Sequence, residues 1–173
     1  MAKSKTIDEA IDKLLDNYED VIIKAARYAT DETCKEIYQY SMSCLEEYYE
    51  SYIPSSYERT DYLWHAILPY AEHPRKVGNN IVSTVGVEYD STKLDGVYNG
   101  SQKYRPVDGD WVLDNYLKGI HPATNGSRDP NTVVYYEITD DVSPWDKMNT
   151  YLTNTVPERF KSNLYVYFIK NLK

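Results

Sequence analysis

Residues 6–28 read TIDEAIDKLLDNYEDVIIKAARY. Their apolar positions, Ile7, Ile11, Leu14, Tyr18, Val21, Ala25 and Tyr28, fall alternately four and three apart, which places them on one face of a helix. Thr6 and Glu9 have the spacing of a capping box, in which the hydroxyl takes a free backbone N–H and the carboxylate reaches back to the cap. The helix is therefore expected to begin at Thr6. The same face resumes through Cys34, Ile37, Tyr38, Ser41, Leu45, Tyr48 and Tyr52. Between the two runs, Thr30-Asp31-Glu32 supplies residue types that favour a new N-cap. The pattern is either one helix of roughly 45 residues, about 68 Å long, or two consecutive helices. A domain of this size has a radius of gyration of about 15–16 Å. Two helices are the expected outcome unless a partner covers the overhang.

Pro54 closes the helical region by removing a donor and crowding the preceding turn. Thr60-Asp61 then reads as the cap of a short helix that stops near Pro69. Further on, Ile81, Ser83, Val85, Val87 and Tyr89 alternate with Val82, Thr84, Gly86 and Glu88, the period of a strand. Asp95-Gly96 and Asn99-Gly100 mark tight turns. Asp110 is expected to cap a short helix over 111–118, closed by Gly119. Residues 120–131 have the composition of a loop, and 132–139 read as a second strand. Ser143-Pro144 opens a helix over Trp145, Met148, Tyr151 and Leu152. The segment 160–172 fits helix and strand alike by propensity, and a helix is expected. The order implies one α+β domain: a long helical segment over 6–52, a β-containing region with loops and a small antiparallel sheet over 53–142, and a helical region over 143–173.

A chain of 173 residues buries about 70% of the surface its unfolded form exposes, so it folds without disulfide or metal staples. Tyrosine is its unusual residue, 19 against 2 Phe and 3 Trp. Such a composition suits interfaces, where an aromatic with a polar tip tolerates a wet rim, and equally suits Tyr standing in for Phe. The net charge of −8 argues against general nucleic-acid binding and against docking on anionic lipid. An acidic surface would, however, let DNA slide through a channel without sticking. Cys34 and Cys44, about 15 Å apart on a helix, are too distant to bridge and read as buried free thiols. No signal peptide and no membrane span are expected. The sequons at Asn99-Gly100-Ser101 and Asn125-Gly126-Ser127 read as Asn-Gly turns.

Local signatures of chemistry do not emerge. His65, His73 and His121 share no metal-ligand spacing, and no nucleophile elbow, phosphate-cradling glycine loop or dinucleotide fingerprint occurs. His65, inside the short helix, is expected to be partly buried, and His121 to lie exposed in a loop. The run from Asp90 to Asp95-Gly96 lacks the ligand alternation of a calcium loop. Asp108-Gly109-Asp110 reads as a turn into a helix cap. The expectation is a protein with no catalytic, cofactor or metal site, one that is not an enzyme. Dispersed carboxylate pairs, which meet in space and not along the chain, lie beyond such a reading.

The stretch from Tyr48-Tyr49-Glu50-Ser51-Tyr52-Ile53-Pro54 through Tyr57-Glu58-Arg59-Thr60-Asp61-Tyr62-Leu63 resembles the bacteriophage tail-component family typified by gene product ten of phage HK97. In that family a long N-terminal helix leads to a Tyr/Pro segment, an Arg-Thr-Gly-x-Leu-like motif and a β region. Here Arg59-Thr60-x-x-Leu63 stands in for the motif, with Asp61 where glycine is usual. Val87-Glu88-Tyr89 and Val97-Tyr98-Asn99-Gly100 fall where the family carries a Tyr-rich hairpin. The likeness spans about 5–100 and does not extend over 101–142. It implies a virion protein of the head–tail connector (neck) or tail end, made in the bacterial host cytoplasm. Such a protein would act in a ring of its own copies, against other neck and tail proteins, close to DNA in a channel, and without membrane or cofactor. The interface residues expected are Tyr52, Tyr57, Arg59, Tyr62, Tyr89, Tyr98 and His121. The alternative is a small acidic cytosolic protein-binding module, of inhibitor or anti-defence type.

Overall fold

The computed structural model describes residues 2–51, 63–94, 108–124, 133–137 and 143–171, with side chains over 17–51, 63–94, 108–119 and 143–171. Helix α1 (Ala2–Glu50) is continuous, which corrects the expectation of two helices. Thr30 does not cap a second helix. Its hydroxyl lies 2.8 Å from the Ala26 carbonyl oxygen, four residues back in the same helix, and the side chain is fully buried. A mid-helix Thr can satisfy itself this way without ending the helix. Thr6 likewise lies inside α1, which starts at Ala2, so the expected start at a capping box is also corrected.

The short helix α2 (Leu63–Ala66) runs directly into strand β1 (Ile67–Val77), where the sequence suggested a helix stopping near Pro69. His65 is exposed on α2, not partly buried. Strand β2 (Asn80–Tyr89) pairs antiparallel with β1, from Ile67 opposite Tyr89 to Val77 opposite Asn80. The register shifts between Glu72 and Arg75, around His73 and Pro74, as a bulge does. Two prolines fit in β1 because, among the described residues, the strand has a neighbour on one side only. Gly78, at φ +62°, makes the turn between the strands.

After β2, Asp90 accepts a hydrogen bond from the Thr92 backbone N–H and caps the 3₁₀ turn Ser91–Lys93. Helix α3 (Gly109–Lys118) is capped by Asp108, not Asp110, and closed by Gly119 at φ 69°. Strand β3 (Ile120–Thr124) occupies the first part of the expected loop and pairs antiparallel with β4 (Val133–Glu137). The rest of that loop, and the turns at Asp95-Gly96 and Asn99-Gly100, lie outside the described residues. Ser143 caps α4 (Pro144–Asn154) through the Asp146 N–H, and α5 (Val156–Asn171) follows, so the ambiguous C-terminal segment is helical. The fold is α+β, with a long N-terminal helix, antiparallel hairpins and short C-terminal helices.

The hairpin of β1 and β2, together with α4 and α5, packs along α1. One cluster gathers Leu45 and Tyr48 of α1, Leu63 and Ala66 of α2, Ile67, Leu94, and Leu113 and Tyr116 of α3. A second joins Ile37 and Cys44 of α1 to Met148 of α4, with Val85 and Val87 of β2 against it. Each fully buried Leu or Ile contributes about 1.5–3 kcal/mol. Nearer the N-terminus of α1, the small residues Ala25, Ala26 and Ala29 are also buried and allow close approach of the neighbouring elements.

Candidate interaction surface

Helix α4 is fixed in place from two sides. Ser143 holds its start, and the Lys147 ammonium reaches Glu47 of α1 at 2.8 Å. Its apolar row comprises Trp145, Met148 and Leu152, at the helical spacing of three and four. Only Met148, 2% exposed, enters the core. Trp145 is 53% exposed and Leu152 37% exposed. These three side chains and Asn149 face Val87 and Tyr89 of β2 across a shallow, almost wholly apolar groove of about 140 Å³. A large aromatic left half in water beside such a groove is the composition of an interface core, since tryptophan buries much area with few torsions to freeze.

Tyr89 lines this groove and is tied inward. Its hydroxyl lies 3.2 Å from Ser41 Oγ of α1, and its ring packs 6.5 Å from that of Tyr116. Burial raises its phenol above the ordinary tyrosine value, partly offset by the Ser41 hydrogen bond. Among the residues expected at an interface, Tyr89 is the one whose side chain is described. Tyr52, Tyr57, Arg59, Tyr62 and Tyr98 lie outside the described residues. His121 has its backbone in β3 opposite Tyr136, not in a loop, and its side chain is outside the described set. In the Tyr-rich stretch of α1, Tyr48 is a core residue, with its ring edge-on to Tyr116 at 5.1 Å. Trp145 and Leu152 were read from the sequence as members of a helix row. Nothing in the sequence marks them as left uncovered, because coverage depends on where β2 arrives.

The two cysteines are buried free thiols. Cys34 Sγ lies 3.4 Å from the Tyr70 carbonyl oxygen of β1, and burial raises its thiol pKa above the ordinary value. Burial, with Glu47 nearby, raises that of Cys44. On the outer face of the hairpin, the Tyr70 and Thr84 hydroxyls donate to Glu72, which keeps that carboxyl below its usual range. Among the described residues, no group of three His, Cys, Asp or Glu side chains could hold a metal ion. No described helix is long and apolar enough to cross a membrane. No protein-family model, curated protein or solved structure matches this chain.

Proposed function

We propose that this protein is a structural subunit of a bacteriophage virion, at the head–tail connector or the tail end, acting through ring-forming contacts with its own copies and with neighbouring neck or tail proteins. The observation that carries the reading is the groove under Trp145 and Leu152, where large apolar side chains stand in water on a rigid helix. Docking of a neighbour there would bury both, and fully burying a side chain of this kind is worth about 1.5–3 kcal/mol. The Tyr48–Leu63 resemblance to phage tail components adds the biological setting. The net charge of −8 suits a subunit beside a DNA channel, because an acidic wall does not displace the counterions of the phosphates.

Immunogold electron microscopy with antibody to the chain tests this on particles from a lysate of the source. Gold at the head–tail junction supports a neck subunit, and gold at the tail end supports a tail-completion subunit. Unlabelled particles, with the protein detected in the soluble fraction by the same antibody, overturn the virion role in favour of the acidic binding module.

A further inference from the structure

Helix α5 lies antiparallel on α1. Arg159 stands 3.8 Å from Glu36, Asn163 donates to Thr33 at 3.2 Å, and Tyr167 packs on Tyr28 with ring centroids 5.7 Å apart. The helix then ends at Asn171. On another side of α1, the hairpin reaches as far as Glu19, which Lys76 meets at 2.6 Å just before the turn. Ala25 is fully buried, while Ile22 is 45% and Tyr18 67% exposed, so the covering of α1 runs out between them. The helix itself continues to Ala2, and 2–18 amount to about 25 Å of further length.

What continues along that length is a heptad row. Ile7, Ile11, Leu14, Tyr18, Val21, Ala25 and Tyr28 alternate four and three apart, and the last of them is the residue that meets Tyr167. A repeat averaging 3.5 residues suits a helix wound alongside, as in knobs-into-holes packing. By sequence position, Asp8, Leu15 and Ile22 flank the row on one side and Ala10, Asn17 and Lys24 on the other, while Asp12, Lys13, Asp16, Glu19 and Asp20 fall off it. The row itself carries no charge, and between Ala10 and Ile22 its flanks carry none either, so two acidic copies can meet over that stretch without opposing their carboxylates. A surface of this kind is self-complementary, the condition for contact between identical subunits.

We infer that the N-terminal part of α1 is a self-association helix, pairing through Ile11, Leu14 and Tyr18 with the same segment of a second copy and extending the line that α5 leaves at Asn171. The inference stands on α1 alone. Dimeric protein with unlabelled particles refutes the virion role and leaves this contact, whereas labelled particles with a monomeric chain do the reverse.

Sedimentation of the full chain at micromolar concentration tests it, with two double variants, Leu14→Glu/Tyr18→Glu and Leu14→Lys/Tyr18→Lys. The wild type is expected at twice the 20.2 kDa monomer mass or a higher multiple. Each variant alone is expected as a monomer that still unfolds in one cooperative transition, and an equimolar mixture of the two as a restored dimer. A monomeric wild type, variants that assemble as the wild type does, or a mixture that stays monomeric each overturns the contact.

Discussion

Thr30 of α1 and Ser83 of β2, fifty-three residues apart in sequence, hold their hydroxyl oxygens 3.0 Å apart at the contact between helix and hairpin. Thr30 has one proton, and the Ala26 carbonyl oxygen also lies within 2.8 Å. Thr30 is the donor in both contacts, so this single proton is shared between the Ala26 carbonyl oxygen and the Ser83 hydroxyl. Thr30→Val leaves the Ser83 hydroxyl half-buried without this partner, at a cost of about 1–3 kcal/mol. A double-mutant cycle with Ser83→Ala, read by urea unfolding, should give a coupling of about 0.5–1.5 kcal/mol. Strict additivity would mean that the contact contributes nothing.

Tyr116 is the opposite case. It is fully buried among Tyr48, Tyr89 and Leu45, and its hydroxyl has no hydrogen-bond partner among the described residues. An unsatisfied buried hydroxyl opposes folding by about 1–3 kcal/mol. Tyr116→Phe keeps the ring and its edge-on contact with Tyr48, so it should raise the urea midpoint, stabilising the protein by about 1 kcal/mol. A lowered midpoint would show that the hydroxyl has an internal water or another acceptor.

The buried thiols and phenols set the alkaline limit of stability. Burial raises Cys34, Cys44, Tyr89 and Tyr116 above their ordinary values, so the folded chain keeps these protons to higher pH than the unfolded chain does. The sign follows from linkage: their contribution is complete below the ordinary thiol value of 9.0 and is lost as pH rises through the raised folded values. The melting temperature should therefore hold up to about pH 9 and fall beyond it. Thermal melts across alkaline pH check this, and Tyr116→Phe should shallow the decline.

Trp145→Ala separates interface from core. At 53% exposure nearly half of the side chain is covered in the isolated protein, so the variant should lose about 1–3 kcal/mol of stability and still fold. Incorporation into particles should be lost nonetheless. A folded variant that still enters particles would remove the groove from the assembly.

Much of this fold was legible from local signals. The period of two in β2, the glycine that closes α3, and Ser143-Pro144 ahead of α4 each act within a few residues of the element they define. Strand β1 was not legible, because Pro69 read as the stop of a short helix until the strand is seen paired with β2. The same holds for β3, where His121-Pro122 suggested a loop and the pairing with β4 supplies the strand. At the groove, the helical row of Trp145, Met148 and Leu152 was visible, but its division between core and solvent was not.

The sequence by itself determined the α+β class, the heptad face of α1 and the caps of α4 and of the end of α3, since hydrophobic period and capping chemistry are properties of neighbouring residues. Only the tertiary structure decided that α1 is unbroken at Thr30 and that Trp145 stands half in water. Both depend on elements brought together from distant parts of the chain: Ser83 beside Thr30 in one case, and Val87 and Tyr89 across from α4 in the other.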